Sequence, residues 1–186
     1  MKTSKLMAGA LLAGISAMAL ASQGQDGAPP SMAGPEHKLL EKWAGQWETT
    51  MKMGGSADAP PTTTPGTSKA RLECGGLWLI TDFDSSIMGM PFHGHETLGY
   101  DAAKKKYVLC WVDSMSSSLS IGEGTFDAKT STMNFVVKGR DMTGAEQTWR
   151  QADVWKDADT REWTMWSQSA DGKEQQDLQI VYKRKK

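Results

Sequence analysis

Six side chains able to ligate, donate or anchor fall within Phe92 to Asp127: His93, His95, Glu96, Trp111, Asp113 and Glu123. His93 and His95 lie two apart, so on a strand both imidazoles face the same way. Their neutral ring nitrogens would fill two positions on zinc or copper. The local sequence offers no third: Glu96 falls on the opposite side, and His37 belongs to a distant segment. Metal sites need three or four converging ligands. No metal is expected, and His93 and His95 read as surface or rim residues.

The carboxylates suggest a different chemistry. Tyr107, Leu109, Trp111 and Asp113 alternate onto one side of their run, and Leu119, Ile121, Glu123 and Thr125 share a side of the next. Aromatic residues with one acid per strand are the pattern of a cavity wall, in which a few polar groups orient an apolar ligand. Arg150 is the expected counter-charge for Asp113 or Glu123, because an unpaired buried carboxylate is costly. The competing reading leaves both acids in water at strand ends. Asp113-Ser114 opens a turn, and Gly122 and Gly124 around Glu123 indicate close backbone approach or a bulge.

Catalytic signatures are few. The serines from Ser114 to Ser120 contain no Gly-x-Ser-x-Gly step and join no ordered Ser–His–acid set, so they read as a loop. No phosphate-cradling loop is present. Paired carboxylates can do acid–base work, but nothing in the spacing of Asp113 and Glu123 selects a substrate.

These residues need a sheet to hold them. After a short helical segment from Pro35 to Trp43, ended by Gly45, the pattern has a period of two. Strands are expected at 46–53, 67–74, 77–84, 92–100, 107–113, 119–126, 133–140, 147–156, 162–169 and 176–183. Short connections carrying Gly, Asp, Ser and Lys join most of them. A longer Pro- and Thr-rich surface loop is expected from Gly54 to Gly66. Strands in simple succession leave two exposed edges unless the sheet closes. The expected fold is therefore all-β, an antiparallel up-and-down barrel of about ten strands with room for one small ligand.

The termini and composition bound the function further. Lys2 and Lys5, an apolar run from Leu6 to Leu20 and the Ala19-Leu20-Ala21 step have the form of a cleaved secretory signal. Residues 1–21 are read as that signal, 22–35 as a disordered spacer and 36–186 as the barrel domain, so an exported protein, periplasmic or secreted, is expected. The apolar run is shorter than the roughly 20 residues a membrane helix needs, and no membrane span is expected after cleavage. The chain carries a net charge of −1, too little positive charge for a nucleic-acid partner. Cys74 and Cys110 stand in separate strands, and a disulfide, which needs Cα atoms within about 7 Å, is not expected. Nothing in the sequence sets the oligomeric state.

Trp43-Ala44-Gly45-Gln46-Trp47 resembles the Gly-x-Trp entry to the first strand of lipocalins and the wider calycin group. That resemblance implies that Trp47 closes one end of the barrel, with Lys183 or Arg184 packed on it as a cation–π pair. Gly89-Met90-Pro91-Phe92-His93-Gly94, Leu98-Gly99-Tyr100-Asp101, Trp111-Val112-Asp113-Ser114-Met115, Glu123-Gly124-Thr125 and Tyr182-Lys183-Arg184-Lys185 resemble the bacterial domain of unknown function 1579. The likeness runs from about His37 to the C-terminus. It implies a lipocalin-like barrel and no agreed activity. Nitrobindin-like barrels of the calycin type hold haem through a late histidine, and here none follows His95. No cofactor is expected, although Met165 or Tyr182 could ligate one in principle.

The expectation is a barrel that binds a small apolar or amphipathic molecule, with Trp47, Trp111, Asp113, Glu123 and Arg150 as ligand-binding residues. The alternatives are an enzyme using Asp113, Glu123 and Arg150 on such a ligand, or a structural envelope protein with a filled barrel.

Overall fold

Alternation of inward apolar and outward polar residues, broken by turn chemistry, governs the architecture. The computed structural model describes residues 32–54, 60–141, 143–169 and 172–186. The segment read as a signal, and most of the spacer, lie outside these residues. Helix α1 (Pro35–Leu39) continues as a 3-10 turn (Leu40–Lys42). Ten strands follow: β1 (Gly45–Met53), β2 (Thr62–Glu73), β3 (Trp78–Ile87), β4 (Met90–Asp101), β5 (Lys106–Asp113), β6 (Ser116–Asp127), β7 (Thr132–Arg140), β8 (Glu146–Trp155), β9 (Thr160–Gln168) and β10 (Glu174–Arg184). Each pairs antiparallel with its chain neighbours, and β1 pairs with β10 from Trp47↔Arg184 to Met53↔Leu178, which closes the barrel. Closure pairs the two strands that would otherwise be the edges of the sheet.

Aspartate opens five of the hairpins. The carboxylates of Asp101, Asp113, Asp127, Asp141 and Asp157 each accept a backbone N–H two residues on. This local bond mimics a backbone turn and is why Asp marks strand ends. It also holds the carboxyls of Asp127 and Asp157 below the usual range.

Several strand ends run further than the alternation indicates. β2 starts at Thr62, within the expected loop, and Thr62 to Pro65 pair with β1. Those residues have no partner on β3, whose ladder with β2 begins at Thr67. Pro65, which lacks an N–H, is tolerated on such an edge, and its carbonyl accepts the Ser85 hydroxyl at 3.0 Å. β3 and β4 meet in a two-residue turn, Met88-Gly89, with both φ angles positive, the geometry that suits strand twist. Ser116 to Ser118, expected in a loop, belong to β6. Cys74 sits in a 3-10 turn at φ 52, and both cysteines are free.

Because hairpins alternate between ends, the barrel has two unlike ends. At one end α1 and its 3-10 turn lie over the strands. Tyr107 donates its hydroxyl to the Glu36 carbonyl at 3.0 Å, and His37 meets Tyr100 edge-on. Leu40 and Trp43 join Leu79, Leu98, Leu109 and Met133 in the core beneath. A second apolar cluster of Trp47, Met51, Phe83, Phe92, Ile180 and Tyr182 faces it. The cavity runs between them toward the other end.

Candidate functional site

The interior of the barrel holds a cavity of about 450 Å³, within the range of small-molecule sites. Its apolar wall is rich in aromatic and methionine side chains: Phe83, Phe92, Trp111, Trp149, Trp163 and Met165 line it, with Ile87 and Met115 at the rim. Trp111 stands half-buried on β5, stacked on Phe92 with ring centroids 6.4 Å apart. It fits because Gly94 lies under it: a Cβ there would fall 2.2 Å from the indole. The Trp111 Nε1–H donates to Asp113 Oδ2 at 2.9 Å, and Asp113 Oδ1 accepts the Met115 N–H. Asp113 therefore orients the indole and closes the turn beside it.

The floor is a buried polar cluster. Arg161 donates to Asp153 Oδ2, which also accepts the Trp43 Nε1–H at 2.9 Å. The guanidinium lies 3.6 Å from the Tyr182 ring centroid and 5.1 Å from that of Trp47. Both members of the pair are more than nine-tenths buried. A guanidinium so placed is held by a desolvated carboxylate and two aromatic faces. Two polar atoms stay orphaned, Asp153 Oδ1 and Arg161 Nε. Desolvation pushes the Tyr182 hydroxyl upward.

Glu96 faces the same cavity from β4. Burial raises its carboxyl from 4.5 to about 7, with Arg161 lowering it and Asp153 raising it further. The shift is the ordinary response of an acid placed among apolar groups.

Of the residues expected to bind ligand, Trp111 and Asp113 line the cavity, while Trp47, Glu123 and Arg150 do not. Trp47 plugs the covered end. Its Nε1–H donates to the Trp43 carbonyl, and Arg184 lies 4.1 Å from its ring centroid, so Arg184, not Lys183, is the packing cation. Glu123 points outward between Lys104 and Lys106, which donate to it at 2.8 and 3.0 Å and hold its carboxyl down at about 2. Arg150 grips Glu174 through two bonds of 2.6 and 2.8 Å on the outer wall and stacks on Trp166. It is not the counter-charge of Asp113 or Glu123. For Glu123 the cause is the register of β6. Gly122 pairs with Leu109 and Gly124 with Tyr107, so the glycines face inward and Leu119, Ile121 and Glu123 face out. A Cβ at Gly122 would sit 2.8 Å from Val137. Small inward residues were needed here, and polarity alternation misread the face.

His93 and His95 lie on the outer wall, each with Nδ1 against an aspartate of β3: Asp84 at 2.5 Å and Asp82 at 2.8 Å. Bonds from His95 and Arg71 hold the Asp82 carboxyl low. Among the described residues, no three metal-type side chains converge. Met165 and Tyr182 both line the cavity, Met165 with its sulfur toward the Gln151 amide at 3.9 Å.

Asp153 and Arg161 were missed from sequence, and Glu96, singled out there, was given no part in the cavity. Two of the three carried a signal. Glu96 is in phase with Phe92 and Leu98, and Asp153 with Trp149 and Trp155, so each is an acid on an apolar face. Arg161 was hidden because its strand begins at Thr160, two residues before the alternation indicates.

Comparison with known proteins agrees with this architecture. A family described as a protein of unknown function, DUF1579, matches residues 32–184. No curated protein matches. Among solved structures, the crystal structure of Rv2717c from M. tuberculosis superposes with a TM-score of 0.61 at 14% identity, over 82% of this chain and 99% of that one. A redesigned β-barrel superposes at 0.41, also with 14% identity, over 84% and 99% of the two chains. The first likeness shows the fold alone. Among the described residues, no helix is long and apolar enough to cross a membrane.

Proposed function

We propose that this chain, which belongs to the DUF1579 family of proteins of unknown function, is an exported binding protein that holds a small apolar or amphipathic molecule in its barrel. The observation that carries this reading is the 450 Å³ cavity, lined by aromatic and methionine side chains, with a buried polar cluster of Glu96, Asp153 and Arg161 at its floor. Apolar walls supply affinity through desolvation, and a few placed polar groups fix orientation. Methionines such as Met51, Met115 and Met165 are adaptable and accept ligands of varied shape. Export is supported by Lys2, Lys5, the apolar run Leu6 to Leu20 and Ala19-Leu20-Ala21.

The binding reading is favoured over the enzymatic one because Glu123 and Arg150 lie outside the cavity. Native mass spectrometry of the protein purified from its own source tests it. A stoichiometric co-purifying small molecule, or uptake of the apolar dye phenylnaphthylamine with a blue-shifted emission, is the expected result. A ligand-free protein that excludes the dye overturns it. N-terminal sequencing of the exported form is expected to begin at Ser22, and retention of residues 1–21 in the cytoplasm overturns the export reading.

A further inference from the structure

Nearly every charged group that lines the cavity already has a partner. Of the two guanidiniums, Arg161 is held by Asp153, and Arg140 by Glu146 and the Gly144 carbonyl. Of the five carboxyls, Asp113 holds Trp111 and Met115, and Asp153 holds Arg161 and Trp43. Asp141 closes its own turn through Thr143 and Ala145, and Asp177 accepts the Ser167 hydroxyl. The fifth is Glu96. Among the described residues nothing hydrogen-bonds its carboxyl.

Its surroundings narrow what would complete it. The ladder neighbours of Glu96 are Thr81 on β3 and Trp111 on β5, neither of which carries charge. Across the cavity it faces Arg161 on β9, Asp153 on β8 and Tyr182 on β10, and His95 beside it on β4 points outward. Arg161 is neutralised by Asp153, so an ionised Glu96 leaves the floor with one uncompensated negative charge. The orphaned atoms of the floor are one of each kind, the acceptor Asp153 Oδ1 and the donor Arg161 Nε–H, so they leave that charge balance unaltered. A carboxylate ligand would add charge of the wrong sign. A hydroxyl would donate one hydrogen bond and leave the charge. An ammonium group supplies both donors and charge.

Building on the reading as a binding barrel, we propose that Glu96 anchors the cationic end of an amphipathic amine whose apolar tail lies along the aromatic and methionine wall toward the rim. A burial-raised Glu96 is protonated in the empty barrel below about pH 7. Binding of an ammonium then expels that proton. Affinity for the amine rises about tenfold per pH unit up to about 7 and is level above it, by proton linkage.

The test is displacement of phenylnaphthylamine from the purified full chain by three probes of equal tail, decylamine, decanoic acid and decanol, at pH 8. Decylamine is expected to bind at least about tenfold more tightly than decanoic acid, the value of one charge-assisted contact. The preference is expected to shrink at pH 5.5 and to vanish in Glu96→Gln. Displacement by all three without preference overturns this inference and leaves the binding barrel standing. A preference for decanoic acid, or an amine preference that survives Glu96→Gln, overturns it as well. Failure of the dye itself to bind overturns both readings, and failure of all three probes to displace bound dye overturns this inference alone. The comparison of head groups is made on the unaltered chain, so the result does not depend on the variant folding.

Discussion

The covered end of the barrel and the cavity rim are built from similar residues and put to opposite uses. At the covered end Trp47 is almost fully buried, and its indole is fixed by the Trp43 carbonyl and the Arg184 guanidinium. Arg184 also donates to the carbonyls of Ala44 and Lys42, which ties the last strand to the segment before the first. At the rim Trp111 is half-buried, and its indole nitrogen is bound by a single turn aspartate. Tryptophan with a polar tether gives stability where helix and strands enclose it, and a contact surface where a cavity lies alongside. The difference lies in what covers the ring.

The largest effect separating the two ends is expected from Arg161→Met. It leaves Asp153 buried beside Glu96 without its cation, and breaking such a pair costs about 3–5 kcal/mol. Urea unfolding measures it, and a loss under about 1 kcal/mol, the scale of an exposed pair, would place the pair in contact with water instead.

Next comes the pH dependence set by Glu96. Between 4.5 and about 7 the folded chain keeps a proton on Glu96 that the unfolded chain has released. The folded state binds more protons in this window, so the stability of the ligand-free protein falls as pH rises through it and is level above, by about 3 kcal/mol in all. Glu96→Gln is expected to remove that slope in thermal unfolding. A slope unchanged in the variant would assign it to other groups.

A smaller effect sharpens the contrast at the rim. Trp111→Ala is expected to weaken ligand binding about tenfold or more, the scale of one lost aromatic contact. The same change at Trp47 is expected to act mainly on stability, because a buried aromatic leaves a cavity behind. Equal loss of stability at both positions, read by calorimetry, would erase the distinction between plug and wall.

Least of all is expected from Glu123→Gln. The carboxyl is exposed on the outer wall between two lysines, and dye affinity is expected to be unchanged. A clear loss of binding would return Glu123 to the site.

Fold and site were legible to different depths for physical reasons. Strand number and hairpin positions followed from period-two alternation and from Asp101, Asp127 and Asp157 at strand ends, because these are local effects. Closure followed from the need to bury two edges. The inward face of β5 was legible in Tyr107, Leu109, Trp111 and Asp113, where size and polarity agree. On β6 they conflict: Leu119 and Ile121 are apolar yet point outward, since only Ser118, Ser120, Gly122 and Gly124 leave room beside Leu109 and Val137. The floor cluster joins β4, β8, β9 and β10, so its convergence depends on barrel closure, which no local pattern encodes. Arg150 shows the same limit, since Glu174 lies on a strand that alternation starts at Gln176.

The central claim is that the cavity, and not the covered end or the outer wall, receives the ligand. The eight tryptophans report on it together. Trp43, Trp111, Trp149 and Trp163 line the cavity, while Trp78 and Trp166 do not. Indole N–H chemical shifts recorded during titration with decylamine are the direct measurement. Shifts of the cavity set, with Trp78 and Trp166 unmoved, are predicted. Shifts confined to Trp166 or Trp78, or none at all at saturating decylamine, would contradict the account.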